Sequence, residues 1–151
     1  TYASGTPYEQ IATVIQANLA DIGITVTLEP METATLKSTC VDGKQELFLW
    51  RWNEDSKVDF VYRDLFYTGS GSNYHHYSDS KADEMIDIVA TEKDQDKRLE
   101  TAKELQTYLV DACPQVPLYI ANLVVAYNKN LQGQYFYGGG NHDWRHAYIA
   151  E

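Results

Sequence analysis

Cationic charge and cysteine are scarce in this chain, and long apolar runs are missing altogether. Twelve lysines and arginines stand against 22 aspartates and glutamates, a formal net charge of −10 over 151 residues. That sign is wrong for a partner made of phosphates, which argues against nucleic acid. No stretch approaches the roughly 18 consecutive apolar residues that a membrane helix requires. The two cysteines, Cys40 and Cys113, fit neither a zinc pattern nor a C-x-x-C redox pair. One disulfide and two unpaired thiols both stay open, free cysteine being most often buried, so compartment is not decided by this count. The chain opens at Thr1 without an initiator methionine, a charged n-region or an apolar h-region, and reads as a processed or excised piece of something longer. What is present is apolar character: 44% of residues are hydrophobic, enough for one domain with one sizeable core.

The order of elements is mixed. Thr6-Pro7-Tyr8-Glu9 supplies a capping hydroxyl, a proline at the first helical position and a reciprocal glutamate. Ile11, Val14, Ile15, Leu19 and Ile22 then recur at helical spacing, and Gly23 can take the left-handed conformation that ends the helix. Ile24, Val26 and Leu28 alternate with threonines as a half-buried strand does. A weaker helix is expected over 32–40, a turn at Asp42-Gly43, and a buried strand over 47–52. A short helix around 60–66 should lead into a surface loop over 67–77. Ser80 and Asp83 form a capping pair for a helix with Ala82, Met85, Ile86 and Val89 on one face. A longer helix follows with Leu99, Ala102, Leu105, Leu109 and Cys113 inward, stopped by Pro114. Residues 116–127 read as a third strand entered through Pro117. The tail from residue 134, broken by Gly138-Gly139-Gly140, shows no firm period, and no internal repeat is present.

Several of these segments together resemble family 5 of the extracellular solute-binding proteins, the dipeptide, oligopeptide and nickel receptors of bacterial importers. The run from Ile11-Ala12 through Gln16 and Leu19 to Ile22-Gly23-Ile24-Thr25-Val26 is similar to the family's helix and strand at the start of its second lobe. Asn73, Tyr77, Asp83, Asp94, Arg98 and Pro114-Gln115-Val116-Pro117-Leu118-Tyr119 follow in the family's order. The resemblance implies an α/β lobe of the periplasmic-binding-protein kind, a mixed sheet flanked by helices. It implies the carboxy-terminal lobe of a longer receptor, hinged to an amino-terminal lobe, with a peptide or other small solute enclosed between them. It further implies an ABC permease as partner, an extracellular or periplasmic location with an anchor on the amino-terminal side, a monomeric fragment, no cofactor and no enzyme activity.

Within that frame Trp52-Asn53-Glu54-Asp55 looks like the family's Trp-x-x-Asp segment, whose aspartate binds the peptide's α-amino group. The resemblance carries this role to Asp55. A loop aspartate capping the next helix is the competing reading, and both stay open. Trp52 and Trp50 offer flat apolar walls, core packing being the expectation for at least one of them, and Arg51 is a fork that could take a carboxylate. Asn73 falls at a family position near the cleft. After Asp55 the sequence departs from the family, which leaves the ligand's identity open between a peptide and a metal chelate, haem-like compound or oligosaccharide.

Other groupings carry less. His75-His76 and His142 with His146 lack a third ligand at metal spacing and read as solvated loop histidines. Thr68-Gly69-Ser70-Gly71-Ser72 matches neither G-x-S-x-G nor a phosphate loop. A small hydrolase using His75 or His142 would need a nucleophile and an orienting acid that the sequence does not supply. The acidic run at Glu92, Asp94 and Asp96 reads as a solvated corner between helices.

Overall fold

The computed structural model describes residues 1–52, 58–122, 124–136 and 142–150. The first helix, α1 (Tyr8–Ala20), begins where its sequence predicts, with Pro7 at the cap position and no Glu9 bond completing the expected box among the described residues; the Thr6 hydroxyl accepts from the Tyr8 N–H at 3.3 Å and donates to the Ala3 carbonyl at 2.6 Å. It ends in a Schellman arrangement, with Ile24 N–H bonded to Leu19 O, Gly23 N–H bonded to Ala20 O, and Gly23 at φ +83°.

Two short strands, β1 (Tyr2–Ala3) and β2 (Pro30–Met31), pair in parallel, Tyr2 opposite Pro30. On the other edge of β1, Thr1 N donates to Leu47 O at 2.7 Å and Leu49 N donates to Thr1 O at 3.0 Å. That exchange has the parallel pattern, so residues 47–49 lie beside 1–3 as a third sheet segment. The strand expected over 24–28 is therefore displaced to Pro30–Met31, and the one expected over 47–52 reaches only a single exchange. Alternation reports which face is buried, and it does so here for Val26 and Leu28, half-buried between exposed threonines, but not for Ile24, which is exposed. It says nothing of where a ladder partner ends. Leu47 is exposed and Phe48 to Trp50 only half-buried, which corrects the expectation of a strand buried on both faces.

Helix α2 (Thr33–Val41) is capped by Glu32, whose carboxylate accepts from Ala34 N at 2.8 Å and Thr35 N at 3.2 Å. Its Leu36 and Cys40 are fully buried and pack with Ala3 and Tyr74 into a first core, against which Tyr8, Met31, Phe48 and Trp50 lie.

The second core is helical. In α3 (Val58–Phe66), α4 (Ser80–Thr91) and α5 (Gln95–Ala112), Phe66, Ala82, Ile86, Val89, Leu105 and Leu109 interlock. The cap of α4 is Asp79 rather than Ser80: its carboxylate accepts from Lys81 N at 2.9 Å and Ala82 N at 3.0 Å. A carboxylate at the positive end of a helix outdoes a hydroxyl, and Asp83 is free to accept from Thr68 N instead. Asp94 caps α5 in the same way, which gives the acidic corner a structural use. Leu99 is exposed, because steps of three carry it off the stripe centred on Leu105 and Leu109. Cys113 is also exposed, at φ +50° just past the end of α5, while Cys40 is buried and both are unpaired.

Residues 116–127 form no ladder among the described residues, and Val116, Ile120 and Val124 are exposed, Ile120 at 96%. The third strand expected there is thus not formed among the described residues. The tail, in which no period is legible, holds two nested antiparallel pairs: β3 (Leu131–Gln132) with β6 (Tyr148–Ile149), and β4 (Tyr135–Phe136) with β5 (His142–Asp143). Strands of two residues are too short to show alternation. Among the described residues no helix is long and apolar enough to cross a membrane.

Candidate functional site

The segment 48–52 is held from behind by the first core. Phe48 and Trp50, two apart on an extended chain, share the inward face. Trp50 meets the buried Tyr74 edge to face, ring centroids 5.3 Å apart at 84°. Arg51 between the tryptophans is exposed. Trp52 is half-buried, and its indole N–H is shut off from solvent without an acceptor. Asp55, the residue with the sharpest sequence expectation, lies outside the described residues. Beside this segment stands Tyr8, whose phenol pKa is pushed up by burial, an effect that the Arg51 charge opposes and Tyr119 reinforces. Arg51, Tyr8 and Tyr119 are thus electrostatic neighbours although they come from three distant stretches of sequence.

Asn73 sits in a different setting. It is 5% exposed, and its amide nitrogen donates to Tyr67 O at 3.1 Å and Tyr77 O at 2.7 Å while its oxygen accepts from Tyr77 N at 3.1 Å. Both amide hydrogens are therefore spent on the backbone of its own loop. The loop over 67–77 is correspondingly not a surface loop throughout, since Asn73 and Tyr74 are buried and pin it from within. His76, at φ +54°, places Nε2 2.9 Å from the Cys40 carbonyl at the end of α2, and Gln45 Nε2 donates to Tyr74 O at 3.2 Å. Because a carbonyl only accepts, His76 Nε2 carries the proton. These contacts tie the loop to α2 and leave a groove of about 420 Å³ between Val41 and the loop residues Thr68, Ser70 and Tyr77.

His75 is half-buried between Phe66 and Tyr77, and burial, with the His76 charge, pushes its imidazole pKa down and favours the neutral form. His142 meets Phe136 edge to face with ring centroids 4.8 Å apart, and its ring lies 5.4 Å from that of Trp144. Among the described residues no three histidine, cysteine or acidic side chains are grouped to hold a metal ion.

Residues 1–74 match the family model described as bacterial extracellular solute-binding proteins, family 5 Middle. The probable D,D-dipeptide-binding periplasmic protein DdpA of Escherichia coli K12 is 25% identical over 140 residues, 89% of this chain and 27% of the relative. Over its first 74 residues the chain is similar to the family 5 solute-binding proteins. Di/tripeptide-binding protein 2 of Pseudomonas aeruginosa is 27% identical over 82% of the chain and 24% of its own length. The chain thus spans about a quarter of the curated relatives that it matches. Among solved structures, the pheromone receptor PrgZ superposes with a TM-score of 0.75 over 99% of the chain and 30% of the receptor, at 20% identity. OppA of Burkholderia pseudomallei superposes with 0.72 over 78% of the chain and 23% of OppA, at 23% identity. The expected α/β lobe of the periplasmic-binding-protein kind is borne out by these superpositions, with helices dominant and the sheet reduced to short pieces.

Proposed function

We propose that this chain is one wall of a solute-binding cleft in a two-lobed peptide receptor that serves an ABC importer outside the cytoplasm, and that it does no chemistry. The reading rests on the names of its relatives, which are those of dipeptide- and peptide-binding periplasmic proteins. The structural observation that supports it is the segment Trp50-Arg51-Trp52, in which Trp50 is braced by the first core, Trp52 is half-buried and the Arg51 guanidinium is exposed. Flat indole walls tolerate many side chains, which suits a receptor for a chemical class rather than one compound. Asp55 supplies the specific contact: a carboxylate facing the peptide ammonium, a charge-assisted bond of about 1.5 to 3 kcal/mol. Closure of a second lobe over this wall removes water and strengthens that contact, so the isolated chain binds weakly.

Native mass spectrometry of the parent receptor purified from cells is expected to find a ladder of peptide masses. Asp55→Ala in that receptor is expected to weaken peptide binding more than about tenfold, the loss of one charge-assisted bond. Unchanged affinity removes Asp55 as anchor. A discrete non-peptide mass would favour the second reading, a non-peptide solute in the same fold. One solved structure supports keeping that reading: MoaA of Agrobacterium, in complex with mannopinic acid, is 26% identical with a TM-score of 0.62 over 70% of this chain and 22% of MoaA.

A further inference from the structure

Residues 73–77 cross between the two cores, and their side chains alternate. Tyr74 is buried with Leu36 and Cys40 in the first core and holds Trp50 edge to face, and His76 donates through Nε2 to the Cys40 carbonyl. His75 and Tyr77 turn the other way: the His75 ring lies 5.5 Å from that of Phe66 and 6.4 Å from that of Tyr77, which packs on the second core. The segment is thus a strap that joins the backing of the wall segment 48–52 to the helical core. At its helical end two polar atoms, His75 Nε2 and the Tyr77 hydroxyl, are shut off from solvent without a hydrogen-bond partner among the described residues.

An imidazole fits such a slot only while neutral, because a proton would bury a charge with no acceptor. The surrounding charges give no relief. Arg63 of α3 is engaged by Asp87 of α4, Asp79 by the first turn of α4 and the Tyr108 hydroxyl of α5, and Asp83 by Thr68 N–H. Asp79, Asp83 and Tyr108 act on Tyr77, whereas among the described residues the charge that acts on His75 is that of His76, which repels a proton; Asp59 and Asp64 of α3 do not reach it. His76 itself takes a second proton at Nδ1 without losing its bond to the Cys40 carbonyl, at a helix end where positive charge is favoured. The two neighbours therefore respond to acid in opposite senses.

We propose that this strap is an acid-sensitive brace for the binding wall: neutral His75 stays on Phe66, and protonated His75 leaves its slot, which slackens the hold of Tyr74 on Trp50. Burial, then the His76 charge, pushes the His75 pKa below its ordinary value of about 6.5. The stability that the neutral ring allows is accordingly complete above that pH and is lost as pH falls below it. The link to the ligand rests on the peptide-receptor reading, and the release of the strap does not.

The measurement is hydrogen exchange of the parent receptor, freed of endogenous ligand, at pH 7.5 and 5.5, with rates corrected for the intrinsic effect of pH. In the wild type the Asn73, His76 and Tyr77 amides, each hydrogen-bonded within the loop, are expected to lose about fivefold of their protection in acid while those of α5 lose none. His75→Phe, a flat ring that cannot charge, removes that loss, and His75→Leu gives the same readout should the phenylalanine variant fail to fold. Equal protection of the wild type at the two pH values, or a loss that persists in the neutral variant, overturns the brace. Saturating tri-alanine is expected to restore the lost protection at pH 5.5, since a ligand that needs the wall braced suppresses the opening. Unrestored protection with the peptide bound overturns the link to the wall. Failure of tri-alanine to bind at either pH overturns the peptide reading, while exchange in the free receptor still decides the brace.

Discussion

At the scale of single residues, Asn73 and Arg51 exchange the weight that their sequence positions suggest. Asn73 stands in a loop rich in tyrosine, serine and glycine, a composition that binding surfaces share, yet its amide is consumed in closing that loop on itself. Truncation would strand two carbonyls and one N–H inside the protein. Asn73→Ala is therefore expected to lower stability by about 1–3 kcal/mol in urea titration of the parent receptor. A loss of ligand affinity with the unfolding midpoint unmoved would instead make Asn73 a ligand contact. Arg51 has the opposite character: it is exposed and makes no hydrogen bond or ion pair among the described residues. The difference could not be read from the chain, because both are polar residues in turn-rich or aromatic company. Which one is satisfied depends on how the chain turns around it, and for Asn73 the partners are backbone groups of its own loop.

Among elements, the pair α4 and α5 is the best defined, and Asp79 is its hinge pin. One oxygen caps α4, and the other accepts from the Tyr108 hydroxyl of α5 at 2.9 Å, with Lys81 lying 4.7 Å over the Tyr108 ring. The α4 backbone bonds, the one from Ala82 above all, and then the Tyr108 hydroxyl hold the Asp79 carboxyl below its ordinary value, and the bond to Asp79 raises the Tyr108 phenol. A carboxyl depressed in the folded state contributes stability that is complete above its unfolded pKa and fades as pH falls through the folded one. Asp79→Asn is thus expected to melt earlier than wild type at neutral pH, with the gap narrowing below about pH 4. A gap of constant size from neutral to acid pH would mean that the charge plays no part in the cap. The sequence pattern placed this helix correctly but chose Ser80 and Asp83 as its capping pair. Adjacent candidates for one cap differ only in how the preceding chain turns, which is a three-dimensional matter.

For the whole molecule, the packing to be tested is that of residues 116–127, a strand-like sequence without a ladder among its described residues, where Val116, Leu118, Ile120 and Val124 are exposed. An extended segment without ladder bonds protects its amides poorly. In the isolated chain these amides are expected to exchange within the dead time of a hydrogen-exchange experiment, and those of α4 and α5 far more slowly. Protection of 116–127 equal to that of α5 in the isolated chain would contradict the open conformation. The sequence by itself determined the five helices, the inward face of α4, the α/β class and the family resemblance, because glycine stops and periods of 3.6 residues are local properties, while Val14, Ile22, Leu99 and Cys113, expected inward, are exposed. Tertiary structure decided the rest: that among the described residues 24–28 and 116–127 carry no ladder, that nested two-residue strands pair in the tail, that Asn73 turns inward, and that Arg51 is exposed. A ladder and an ion pair each need a partner from a distant part of the chain, and no local pattern says whether that partner arrives.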